Sequence, residues 1–186
     1  MNHSYTRASD AVSADAVSTR AFLQQAVDHY PRLAAFSFTL KLPYRETLSE
    51  YRSLILRFHT EVWQRTGEYS RQRQQERHHS PPTVLRWMWE ATSAPECGMI
   101  MLMNLDTLGS GSSAQHVENA MQAMGELLRE AWLAVCGAEH NGVTNLTSVI
   151  LNRSGLGVFT MRFSQLKATV QGMTLPVMTA RSSAAG

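Results

Sequence analysis

Pro95-Glu96-Cys97-Gly98-Met99-Ile100-Met101-Leu102-Met103-Asn104 is the stretch that decides the fold. From Met99 to Met103 every residue is apolar, so an extended chain there presents no polar face to water. A run this short, opened by a proline and closed by a polar turn, is a strand buried on both sides rather than a helix. The pattern predicts a central strand from Gly98 to Asn104, which requires neighbours on both sides.

The flanking sequence offers them. Phe36 to Leu42 alternates with period two, its apolar face being Phe36, Phe38, Leu40 and Leu42, and Pro43 ends it. Thr83 to Ala91 reads as a strand with Leu85, Trp87 and Trp89 on one face and Val84, Arg86, Met88 and Glu90 on the other. Ser13 to His29 carries Val17, Ala21, Phe22, Leu23 and Val27 at helical spacing and stops before Pro31. Thr47 and Glu50 form a capping box, after which Leu48, Tyr51, Leu54, Ile55, Phe58 and Val62 recur every three or four residues until Gly67. Beyond Gly67 the residues from Glu68 to Ser80 read as a polar loop ended by Pro81-Pro82. The joint Gly109 to Ser113 leads into a helix marked by Val117, Met121, Met124, Leu128, Ala131 and Val135 and closed by Gly137. A strand is expected over Thr147 to Leu151 and a last segment over Val158 to Val170. Residues 1–12 and 176–186 read as flexible tails around one domain, 13–175. The order helix, strand, helix, strand, strand, helix, strand, helix predicts an α+β fold: a largely antiparallel central sheet with packed helices.

Composition narrows the function classes only modestly. A chain of 186 residues with 44% hydrophobic and 17% charged residues describes one soluble globular domain. A formal charge of +2 does not by itself call for nucleic acid, yet 15 arginines stand against 2 lysines. Arginine's planar fork suits phosphates and stacks on bases, although high-GC codon usage gives the same bias. Cys97 and Cys136 lie in no metal-ligand or disulfide spacing, which fits a reducing cytoplasm. No apolar leader and no run of 18 apolar residues occurs, so neither export by a signal nor a membrane span is expected. Ser154-Gly155-Leu156-Gly157 lacks the Lys-Ser/Thr ending of a phosphate loop, and neither a Gly-x-Ser-x-Gly elbow nor a His-Glu-x-x-His motif is present.

In order and spacing, four segments from residue 32 to 168 resemble the YagK/YfjJ-type C-terminal domain, a prophage family related to inovirus replication initiators of the HUH class. They are Ser37-Phe38-Thr39-Leu40-Lys41, Trp87-Met88-Trp89-Glu90, Pro95 to Asp106, and Ser164-Gln165-Leu166-Lys167-Ala168. The resemblance implies an HUH-like fold in which two histidines, two residues apart on one strand face, hold a divalent metal that polarises a DNA phosphate, while a tyrosine attacks it. Here the histidine positions carry Glu96 and Gly98, Thr39 stands where the first strand places an acidic group, and Gln165 stands at the tyrosine. All five tyrosines, Tyr5, Tyr30, Tyr44, Tyr51 and Tyr69, precede Glu96. The resemblance therefore implies a degenerate site (Thr39, Glu96, Gly98, Gln165) with no catalytic residue, no metal and no cofactor.

The expectation is a catalytically inactive replication-initiator-like domain that binds single-stranded or hairpin DNA, or regulates, through Lys41, Arg65, Arg71, Arg73, Arg77 and the base-stacking face of Trp87. The alternative is a protein-interaction module, binding a protein partner or forming a homodimer, without nucleic-acid binding. A third reading makes Glu96 and Asp106 an unusual metal pair. His78-His79 with His59 and His140 could be set together as a metal cluster, but an adjacent histidine pair in a polar loop reads as solvated surface.

Overall fold

The computed structural model describes residues 16–76, 83–90, 95–108, 113–137, 141–173 and 176–182. In chain order the elements are α1 (Ala16–His29), β1 (Arg32–Lys41), α2 (Leu48–Glu76), β2 (Val84–Glu90), β3 (Glu96–Asn104), α3 (Ala114–Cys136), β4 (Val143–Asn152), α4 (Gly157–Gln171) and β5 (Pro176–Ser182). The strands form one sheet in the order β4-β1-β3-β2-β5, every described pairing antiparallel. The fold is α+β, as the alternation of periodicities predicts. Its centre, β1-α2-β2-β3-α3-β4 with β3 inserted between β1 and β2, is a split βαβ arrangement.

β3 is apolar from Met99 to Met103 because it is covered there on both faces. Cys97, Met99, Met101 and Met103 point into the core under α2 and α3, with Leu54, Ile55, Phe58 and Val62 from α2 and Met124, Leu128, Ala131 and Trp132 from α3. Ile100 and Leu102 point the other way, into a core shared with Leu23, Ala26 and Val27 of α1 and Leu166 and Val170 of α4. The even-numbered side chains of β1 and the odd-numbered ones of β2 complete the first core. Trp87 and Trp89 belong to it at 3% and 2% exposure.

Four expectations change at element ends. α2 does not stop at Gly67 but runs on to Glu76, because Gly67 is not in a left-handed conformation and the residues after it, Arg71-Gln72-Arg73-Gln74-Gln75-Glu76, are all good helix formers. The expected loop from Glu68 is therefore helix as far as Glu76. The expected C-terminal tail contains β5, which pairs with β2 from Pro176 opposite Glu90 to Ser182 opposite Val84. β4 begins at Val143, four residues before the expected strand, and its register against β1 shifts between Ser37 and Thr39. Asn145 takes a φ of 54° at that irregularity, a conformation asparagine tolerates better than most residues. Ser113 caps α3 as its sequence suggests, accepting from the His116 amide at 3.2 Å. Residues 1–12, Arg77, His78, His79 and His140 lie outside the described residues.

Candidate functional site

The register of β1 against β3 sets Thr39 beside Gly98 and Lys41 beside Glu96, all on the face covered by α1 and α4. Between β1, β3 and the C-terminal end of α4 lies a hollow of about 330 Å³, bordered by Thr39, Glu90, Gly98, Asn145, Thr169 and Gly172. A Cβ placed on Gly98 would meet the end of the Glu90 side chain, so the glycine makes room for a carboxylate from the neighbouring strand. Among the described residues no arginine or lysine borders the hollow.

Of the four degenerate positions, the structure brings Thr39 and Gly98 together. Glu96 is exposed at the start of β3 and Gln165 is exposed on α4. The turn of α4 that borders the hollow is carried by Thr169, whose hydroxyl donates to the Gln165 carbonyl at 3.1 Å. The Glu96–Asp106 metal pair is overturned, since these residues sit at opposite ends of β3, roughly 30 Å apart along nine residues of strand, and Asp106 is ion-paired with Arg32. Among the described residues no three His, Cys, Asp or Glu side chains gather as a metal site.

The basic candidates are dispersed. Arg65 is already neutralised, donating to Glu61 at 2.9 Å and to Glu130 of α3 at 3.3 Å, and it works as a strut between helices. Trp87 cannot stack on a base: its ring lies 4.0 Å from that of His59 and packs edge-on against Phe58. Lys41 is exposed beside Glu96, and Arg71 is exposed on α2. The backbone of Arg73 is helical, while its side chain and all of Arg77 lie outside the described residues.

His59 is a buried residue of the core face of α2. Burial depresses its pKa to about 3, and Nε2 lies 3.4 Å from Met99 Sδ. Burial likewise pushes the Cys97 thiol up to about 12, which leaves it protonated and unreactive.

Two residues absent from the expected set form the most suggestive surface. The guanidinium of Arg181 on β5 lies 5.1 Å from the ring centroid of Trp63 on α2. Trp63 is half-buried and Arg181 exposed. Gly67 and Arg71 follow Trp63 at four and eight residues along the same broad helix face, and a Cβ on Gly67 would touch nothing within 4 Å. Trp63 with Arg181 over it, the open space at Gly67 and the exposed Arg71 further along α2 are called the shelf. Arg181 was hidden because its strand was read as a tail, and Trp63 because an apolar residue on an amphipathic helix reads as core.

The chain belongs to the family described as uncharacterised conserved protein UCP030791, matched over residues 6–146. No curated protein and no solved structure matches it. The matched span runs from before α1 to the first four residues of β4, and so takes in β1 to α3 and the Trp63 end of the shelf but neither α4 nor β5.

Proposed function

We propose that the protein is a non-catalytic nucleic-acid-binding or regulatory domain that engages DNA on the shelf formed by Trp63, Arg71 and Arg181. The observation that carries this reading is the Arg181 guanidinium lying over a half-buried tryptophan, with Arg71 exposed eight residues further along α2. An arginine plane supported by an aromatic ring stacks on an unpaired base, and the flanking arginine meets the adjacent phosphate. The sheet itself is a poor platform, because both its faces are covered by helices. The resemblance to replication initiators supports the non-catalytic half of the reading: glutamate and glycine replace the paired histidines, and α4 contains no tyrosine. An acidic side chain in the hollow also repels a phosphate rather than receiving it.

Fluorescence anisotropy with labelled single-stranded and hairpin oligonucleotides tests the proposal across a salt series. Arg71→Glu with Arg181→Glu should weaken binding and flatten the plot of log affinity against log salt by roughly 0.7 for single strands, the one phosphate contact that Arg71 supplies. Unchanged affinity in the double variant would move the site elsewhere. A protein-interaction reading has its own support in the exposed apolar start of α4, where Leu156, Val158 and Met161 are 79%, 50% and 53% exposed. It becomes the better one if no oligonucleotide binds at about 50 mM salt.

A further inference from the structure

The second face of the sheet buries one charge without a counter-charge among the described residues. Arg86, in the middle of β2, is 4% exposed, and its guanidinium stays protonated under any ordinary condition. Its Nη2 lies 2.9 Å from His29 Nδ1, so a neutral imidazole carrying its proton on Nε2 accepts there. Arg86 Nη1 has no hydrogen-bond partner, and neither has the buried hydroxyl of Tyr30. The two groups are neighbours: the guanidinium carbon is 5.9 Å from the centroid of the Tyr30 ring, and that ring stacks on His29 at 4.5 Å. The ion pairs among the described residues join Arg32 to Asp106 and Arg65 to Glu61 and Glu130, and none of them reaches Arg86.

Arg86 lies near enough to act on the Tyr30 hydroxyl oxygen, but that oxygen is neutral and its own proton has no acceptor within hydrogen-bond distance. The C-terminal end of α1 brings only the partial negative charge of its last carbonyls, and the face of the Tyr30 ring only a quadrupole. A buried guanidinium left uncompensated is strongly destabilising. Asp28 is not the missing acceptor, because it is exposed and accepts from Gln24 at 2.9 Å. His29, which touches Arg86, also borders a broad surface hollow with Phe22, Gln25, Asp28 and Met178.

We propose that Arg86 and Tyr30 form a binding site for a small oxyanion of the phosphate class, with His29 as its solvent-side wall. An oxyanion has several oxygens and can accept from Nη1 and from the Tyr30 hydroxyl at once, which suits the fork of arginine. A halide offers a single point and satisfies the pair less well. The site is independent of the shelf, which lies on the other face of the sheet.

Thermal unfolding of the full chain in inorganic phosphate, against sodium chloride of equal ionic strength, tests it. Phosphate should raise the wild-type midpoint saturably, by about 3–6 °C at a tenfold excess over its half-saturating concentration. Arg86→Met should abolish the response, Tyr30→Phe should weaken half-saturation by about tenfold, and the Arg71→Glu, Arg181→Glu variant should keep the response even if it has lost DNA. In a parallel arm an oligonucleotide replaces phosphate. A stabilisation there that Arg86→Met removes also supports the site and assigns the oxyanion to a nucleic-acid backbone. The proposal is overturned if the wild type responds to neither phosphate nor oligonucleotide, or if Arg86→Met is more stable than the wild type in phosphate. Should Arg86→Met not fold, Tyr30→Phe decides, and an unchanged half-saturation overturns the site.

Discussion

Two glycines in this chain make room for a neighbour, and the neighbours differ in what they can concede. At Gly98 the obstacle to a Cβ is the end of the flexible Glu90 side chain, whereas at Gly142 it is the indole of Trp132, which is 1% exposed in the main core. Gly98→Ala should therefore stay within about 1 kcal/mol of the wild type as the carboxylate swings aside, while Gly142→Ala should lose about 1–3 kcal/mol or more from overpacking. Urea denaturation of the two variants side by side checks the contrast. His59 makes a second prediction at this scale. Its folded pKa lies near 3, below the ordinary 6.5, so between those values the unfolded chain binds a proton that the native chain refuses. Stability then rises with pH through that window and is lost as pH falls below about 6.5, at roughly 1.4 kcal/mol per pH unit from this group. His59→Phe, which keeps a ring against Trp87, should remove that component. An identical slope in wild type and variant between pH 6 and 4 would show that His59 is protonated in the native state. Neither effect was visible in the sequence: His59 sits at an amphipathic position among arginines and glutamates, and its burial comes from the packing of α2 across β2.

α2 shows how a residue that stops one helix is merely tolerated in another. Gly67 follows a well-formed amphipathic repeat and so resembles a C-cap, but α2 continues for nine residues beyond it. The polar residues that follow carry high helix propensity and no apolar face, which is why periodicity misses them and propensity does not. Since Gly67 has an ordinary helical conformation and open space around it, Gly67→Ala should stabilise the protein by about 0.5–1 kcal/mol in chemical denaturation. A loss of stability would restore the cap reading. The central strands were the most legible elements, because β3 must be apolar on both faces and β1 and β2 alternate or pair beside it. β5 was illegible for the opposite reason: an edge strand of seven residues has one neighbour, only its first residue is buried, and Thr179, Ala180, Arg181 and Ser182 have the small or polar character of a tail.

At the scale of the whole molecule, the sheet separates three regions. The hollow at Thr39, Gly98 and Glu90 and the buried Arg86 share the face under α1 and α4, whereas the shelf of Trp63, Arg71 and Arg181 lies on the α2 side along the β5 edge. Thr39 and Gly98, two positions the resemblance put in one site, face each other in the register of β1 against β3. The sequence misjudged the cationic surface, because one partner of Arg65, Glu130, comes from α3, 65 residues away, and the arginine over Trp63 comes from a strand read as a tail. The central claim is binding without cutting. One experiment addresses both halves of it: the protein is incubated with end-labelled single-stranded DNA in manganese or magnesium at low salt, and the sample is divided between a native and a denaturing gel. The account predicts a retarded band on the native gel that fades as salt is raised, and intact, unlinked oligonucleotide on the denaturing gel. A shortened strand or a protein–DNA adduct that survives denaturation would contradict it, and so would a native gel without any retarded band.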